Sequence, residues 1–232
     1  MEFYLNPTIS YNFKSIPYFL VFCIYVRLFF YVIYIFFNYT NQKFYRLKNE
    51  RKQYVVKNIV KSINLGALSL YSLPYIIYPA FMYQTWNNNI LHIAGLFYSS
   101  NDFVALTYVD NLSVTTKSHH KVTVFLSFLA LAIDYNTSSL GKMLFVYTLS
   151  STNAFLVNYH LGSRFLYDKD ETYDMKKKAR NVYAMTLFFN WGWHIYWSIT
   201  NFDLLGIQHL FYFCVMYYVV KDDLVLFSWL CN

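Results

Sequence analysis

Two adjacent histidines, His119 and His120, head the stretch HHKVTVFLSFLALAID, and Asp102 sits inside the apolar block before it. Imidazole exchanges protons near neutral pH, and a neighbouring carboxylate orients the ring and stabilises its charged form. An aspartate deep in an apolar segment needs a donor or must be protonated, and a histidine from the next helix supplies one. The chemistry open to this trio is general acid–base catalysis, or acceptance of an acyl group by imidazole as nucleophile. His119, His120 and Asp102 are therefore the candidate catalytic residues.

Other polar residues recur at helical spacing inside apolar blocks. His92, Gly95, Ser99, Asp102 and Leu106 follow one another at steps of three and four, so they share a helix face. Thr123, Ser127 and Asp134 continue the face begun by the histidines. Ser150, Ser151, Asn153 and Asn158 follow in a later block, and Asn190, His194 and Ser198 in the next. The economical arrangement points these stripes at each other across a cavity. Ser99, Thr123, Ser127, Asn153, Asn158, Asn190 and His194 are the expected lining. The alternative for such residues is interhelical hydrogen bonding without chemistry. No metal site is expected, because His92, His160, His194 and His209 have no histidine partner three or four residues away.

The elements that must carry these residues are long apolar segments. Of the 232 residues, 57% are hydrophobic and only 13% charged, about half the charge of an ordinary soluble domain. Seven spans emerge: 16–37, 63–83, 90–109, 119–134, 140–160, 182–200 and 204–220. Most approach the roughly 20 residues a helix needs to cross hydrocarbon. The expected fold is all-α, a polytopic transmembrane bundle of about seven spans around a polar cavity.

The net charge of +7 is concentrated in two connections, 38–57 and 161–181, whereas 84–89 and 135–139 contain no Lys or Arg. With seven spans both basic connections fall on the cytosolic side, with a lumenal N-terminus. The sequon Asn136-Thr137-Ser138 lies in a very short lumenal loop. Nucleic-acid binding is excluded as a reading, since no phosphate loop, zinc spacing or RNA-binding aromatic motif accompanies the charge. Cys23, Cys214 and Cys231 match no metal or CxxC spacing.

With these residues in view, the chain resembles the TLC domain, the membrane family named for TRAM, Lag1 and CLN8 proteins. The matching features are the span holding Asp102, the pair His119-His120 opening the next, and the segment LSSTNAFLVNYHLGSRF. That segment resembles the family's polar-aromatic stretch, with Ser151-Thr152-Asn153 and Phe155-Leu156 in register. The resemblance covers roughly residues 50–222. It departs from the ceramide synthases of the family, which carry an acidic pair in the span after their histidines. Here that span has no Asp or Glu, and the nearest acid is Asp134. Tyr159-His160 stands where the family has arginine-tryptophan.

The expected organisation is an N-terminal span with its basic loop (1–49), a TLC-like domain (50–222) and a short tail (223–232). The resemblance implies a protein of the endoplasmic reticulum or a related internal membrane. It implies action on membrane lipid composition, homeostasis or trafficking, sphingolipids included. The alternative is N-acyl transfer from acyl-CoA, as co-substrate, to a long-chain amine. No other cofactor is expected. Membrane lipids are the expected partners, and homo- or hetero-oligomers stay open. A di-iron lipid hydroxylase lacks its histidine clusters, and a transporter lacks a visible internal repeat.

Overall fold

The computed structural model describes residues 12–232, so the first eleven residues, including the expected lumenal N-terminus, lie outside the described part. Among the described residues every regular element is helical. Helix α1 (Ile16–Thr40) carries Pro17 in its first turn, where a missing N–H is harmless. Asn41 ends it and starts the short turn Gln42–Tyr45 by accepting a hydrogen bond from the Phe44 amide at 2.8 Å. Helix α2 (Asn49–Met82) is the longest apolar element. Pro74 cannot donate to the helical ladder, and the backbone widens into a π turn over Leu73–Ile77 before helix resumes.

Side-chain caps start several of the remaining helices. Asn87 accepts from the Ile90 amide at the head of α3 (Asn88–Tyr108), and Ser113 from Thr116 at the head of α4 (Val114–Ala130). Ser138 caps α5 (Ser139–Thr152), which resumes after two residues as α6 (Phe155–Ser163). Asp168 and Glu171 form a capping box for α7 (Lys169–Thr200), and α8 (Ile207–Cys231) closes the chain.

The helices run alternately up and down, as the contacts at each end show. At one end Lys43 pairs with Asp168 at 2.6 Å, and the Asp110 amide donates to Gln53. At the other, Trp86 and Asn136 exchange hydrogen bonds, and Ser139 bonds His209 at 2.9 Å. The first end carries both basic segments. In the connection between α4 and α5, exposed Asp134 accepts from Asn88, Asn136 and Thr137, which hold its carboxyl down at about 2.

Neighbours close a ring: α2 packs on α6, α6 on α7, α7 on α8, α8 on α4, α4 on α3, and α3 on α1 and α2. The α2–α6 approach is the tightest. A Cβ on Gly162 would stand 2.9 Å from the Ile59 side chain and 3.2 Å from the Val55 carbonyl oxygen, so glycine is what lets these helices touch.

Each expected span coincides with a helix or helix pair, but the boundaries move. Residues 49–62, expected in part as a basic loop, form the first turns of α2. Much of 161–181 forms the start of α7. Lys and Arg are good helix formers, and capping extends helices into polar sequence. The fourth element begins at Val114 and stops at Ala130, leaving Asp134 in a loop. Residues 223–231, expected as a tail, continue α8. Two helices, Phe13–Thr40 and Asn49–Met82, are long and apolar enough to cross a membrane, with mean hydropathies of 2.3 and 1.3.

Candidate functional site

A cavity of about 440 Å³ lies inside the ring of helices, within the usual range for small-molecule sites. Its wall draws on α2, α4, α6, α7 and α8, on Tyr98 of α3, on Ser150 and Ser151 of α5, and on the α3–α4 loop at Asn111–Ser113. That loop belongs to the end of the bundle that carries the basic segments, so the cavity reaches toward that end. The lining mixes polar groups, most of them charged or ionisable on α2, α4 and α8, with apolar side chains that include Val157, Leu161, Leu187 and Leu226.

Two histidine–carboxylate couples stand at the polar wall. The His120 Nδ1 lies 3.0 Å from Asp102 Oδ1, and the His119 Nδ1 lies 3.1 Å from Asp222 Oδ2. The two rings are 5.7 Å apart, centroid to centroid. Successive helical residues point about 100° apart, which is why one ring turns to α3 and the other to α8. Asp102 is fully buried and does not itself line the cavity. Its charge is matched by Lys61 of α2, whose ammonium is hydrogen-bonded and ion-paired to Oδ1. Asp222 also accepts from the Thr116 hydroxyl at 3.1 Å, and Asp223 accepts from Tyr183 at 2.8 Å. The Tyr147 hydroxyl and His119 Nε2 share a longer contact of 3.4 Å.

This arrangement suits proton transfer. Asp102, clamped by Lys61, is a fixed negative partner for His120, while His119 sits on the cavity wall with its own carboxylate behind it. His120 Nε2 is buried without a hydrogen-bond partner, and the Nδ1 atoms of His119 and His120 meet their carboxylates at ion-pair distance rather than in hydrogen bonds of good geometry. Asp102, His119 and His120 also present one metal-ligand atom each, mutually within 4.8 Å. The Lys61 ammonium already on Asp102 opposes a dication there by like charge. A zinc ion with bonds of about 2.0–2.2 Å would also require the donors to draw closer. The donor set fits a proton couple better than a metal.

The expected lining residues divide. Asn158 and Asn190 line the cavity with His119 and His120. Ser99 and Ser127 instead hydrogen-bond each other at 2.8 Å across the α3–α4 seam. With Asp102–His120 above and His92 bonded to the Ile133 carbonyl below, they form an antiparallel ladder. Thr123 bonds back to the His119 carbonyl, and Asn153 meets Ser69 and the Leu149 carbonyl. His194 is held between the Asn190 carbonyl and the Tyr212 hydroxyl at 2.7 and 2.9 Å. Ser99, Thr123, Ser127, Asn153 and His194 therefore hold helices and stay off the cavity wall. Their stripes face the bundle interior, as periodicity requires, but most of that interior is packed.

Sequence reasoning missed Lys57, Lys61, Asp222 and Asp223. The lysines fell at the edge of a presumed loop, although Lys57 and Asn58 stand four and three residues before Lys61, the spacing of a shared helix face. Asp222-Asp223 interrupts the apolar run VMYYVV…LVLF, a signal of the kind that marked Asp102. No family model, curated protein or solved structure matches the chain.

Proposed function

We propose that this chain is a multi-pass membrane protein of the TLC type that admits a membrane amphiphile to its cavity and thereby acts on membrane lipid composition. The observation that carries the reading is the pair of histidine–carboxylate couples, His120–Asp102 and His119–Asp222, at the wall of a cavity that also has apolar lining. Such a site accepts an amphiphile with a polar group within reach of the histidines and an alkyl portion against Val157, Leu161, Leu187 and Leu226.

The distribution of polarity supports a lipid surround. Lys61, Asn64, Asn101 and Asp102 are buried, whereas Leu20, Ile24 and Leu28 of α1, Phe188 and Ile195 of α7, and Phe211 of α8 are exposed. A water-soluble protein rarely leaves contiguous apolar faces of this extent uncovered. The seven helical passages then cross the bilayer, with the basic end cytosolic by the positive-inside rule. An internal membrane such as the endoplasmic reticulum is the compartment the resemblance implies.

A second reading, acyl transfer from acyl-CoA to a long-chain amine, is favoured by one observation. The acidic pair absent from the span after the histidines is supplied from α8, where Asp222 lies beside His119 and Asp223 lines the same cavity. In that reaction His119 takes the proton of the attacking amine, the nitrogen–carbonyl bond forms, and the carbon–sulfur bond breaks. The thiolate then leaves and is reprotonated.

Lipid profiling of cells expressing the protein or its His119→Ala/His120→Ala variant tests the first reading. The protein is expected to shift acyl-chain composition and the variant, at matched abundance, to leave it at the control profile. An equal shift from both, or from neither, contradicts it.

A further inference from the structure

The cavity holds more cationic character than its histidine–carboxylate couples use. Lys57 is buried to 5% exposure and lines the wall, yet it forms no hydrogen bond or ion pair among the described residues. Its Nζ lies 5.6 Å from the centroid of the Tyr54 ring. Arg164, at the end of α6, also lines the wall. Its Cζ lies 5.7 Å from the centroid of the same Tyr54 ring and 4.4 Å from that of Trp229. Its Nε is buried without a hydrogen-bond partner. Lys176 Nζ stands 5.5 Å from the centroid of the same Trp229 ring.

Faces of aromatic rings are weak partners for a cation, and a buried ammonium without a carboxylate is expensive. The cavity's acids are engaged elsewhere: Asp102 with Lys61 and His120, Asp222 with His119 and Thr116, Asp223 with Tyr183. Asp222 is close enough to act electrostatically on Lys57 and Tyr54, but among the described residues no carboxylate forms an ion pair with Lys57 or Arg164. An oxyanion entering the cavity beside Tyr54 finds two cations near that ring, the point charge of Lys57 and the planar fork of donors of Arg164. The neighbouring apolar wall at Val157 and Leu161 then receives the chain attached to it.

We propose that Lys57 and Arg164 form the head-group site of the cavity and select an anionic amphiphile, one whose alkyl chain ends in a carboxylate or a phosphate. The proposal rests on the reading of the cavity as a lipid site, and adds to it the charge of the lipid. The head group would sit on the Tyr54 side, leaving the histidines free to act on a second group.

Binding to the purified full chain in dodecylmaltoside, read by tryptophan fluorescence, tests it with three probes of equal chain: oleate, oleoyl lysophosphatidate and neutral monoolein. Either anion, or both, is expected to bind at least about tenfold more tightly than monoolein, since a charge-assisted hydrogen bond contributes about 1.5–3 kcal/mol. Which anion binds names the head group. Lys57→Gln and Arg164→Gln should each remove most of that preference while leaving monoolein unchanged, and Lys57→Arg should keep it. Monoolein binding as tightly as both anions overturns the proposal alone and leaves the cavity reading standing. Failure of all three probes to bind overturns both. The preference is measured on the unaltered protein, so this outcome does not depend on the variants folding.

Discussion

Replacing His119 with alanine is expected to lower any acyl transfer by the purified protein about 10²–10⁴-fold, the usual effect of losing one general acid–base group. Labelled acyl-CoA with a long-chain amine is the assay, at matched amounts of folded protein. His119 has the cavity position, the Asp222 carboxylate at 3.1 Å and the Tyr147 hydroxyl at 3.4 Å. Asp222→Asn should reproduce part of the loss, because the amide keeps the shape but no longer stabilises a charged ring. His120→Ala acts differently, since it also strips one partner from buried Asp102 and should lower stability along with turnover. A rate for His119→Ala within about threefold of the unaltered protein would make the pair a structural feature and remove the acyl-transfer reading.

Lys61→Met is the largest expected change in stability. Lys61 and Asp102 are both buried, and their ion pair ties α2 to α3 behind the histidines. Breaking a buried pair from one side leaves an uncompensated charge and costs about 3–5 kcal/mol. Asp102 Oδ2 already lacks a hydrogen-bond partner, and His120 is the one ionisable group left beside the carboxylate among the described residues once the ammonium is gone. The double variant Lys61→Met/Asp102→Leu removes both charges and should recover most of the loss, at the expense of His120 orientation. Denaturation in mild detergent, followed by circular dichroism, measures both. A loss below about 1 kcal/mol for Lys61→Met would mean that water reaches the pair and that the site is not closed as described.

The parts of this site that sequence made legible are those set by local periodicity. Steps of three and four placed His92, Ser99 and Asp102 on one face, and that face does meet the His120–Ser127 face of the next helix. Which histidine would take Asp102 was not legible, because two adjacent residues differ by about 100° and either phase was compatible with the pattern. The same periodicity could not distinguish a cavity wall from a packed seam. Ser99 and Ser127 satisfy each other, and His194 finds Tyr212, a partner supplied by another helix.

Lys57 and Lys61 were hidden for a different reason. Charge in a membrane-like sequence reads as the end of a span, yet here the helix runs inward past both lysines, which turn to the interior and meet Tyr54 and Asp102. Asp222 lies 106 positions from its partner Thr116, and only the return of the last helix beside α4 brings the acidic pair to the histidines. The break in the apolar run marks the acids, but which residues they meet is set by this long-range closure and leaves no local pattern to read.

The central claim is that an amphiphile occupies the cavity behind His119 and His120. Photo-crosslinking with a diazirine-bearing fatty acid in membranes containing the full chain, with adducts mapped by mass spectrometry, tests it most directly. Adducts are expected at Val157, Leu161, Leu187 and Leu226, and excess oleate should suppress them. Labelling confined to the outer faces, at residues such as Leu20, Phe188 and Phe211, with none in the cavity, would contradict the account.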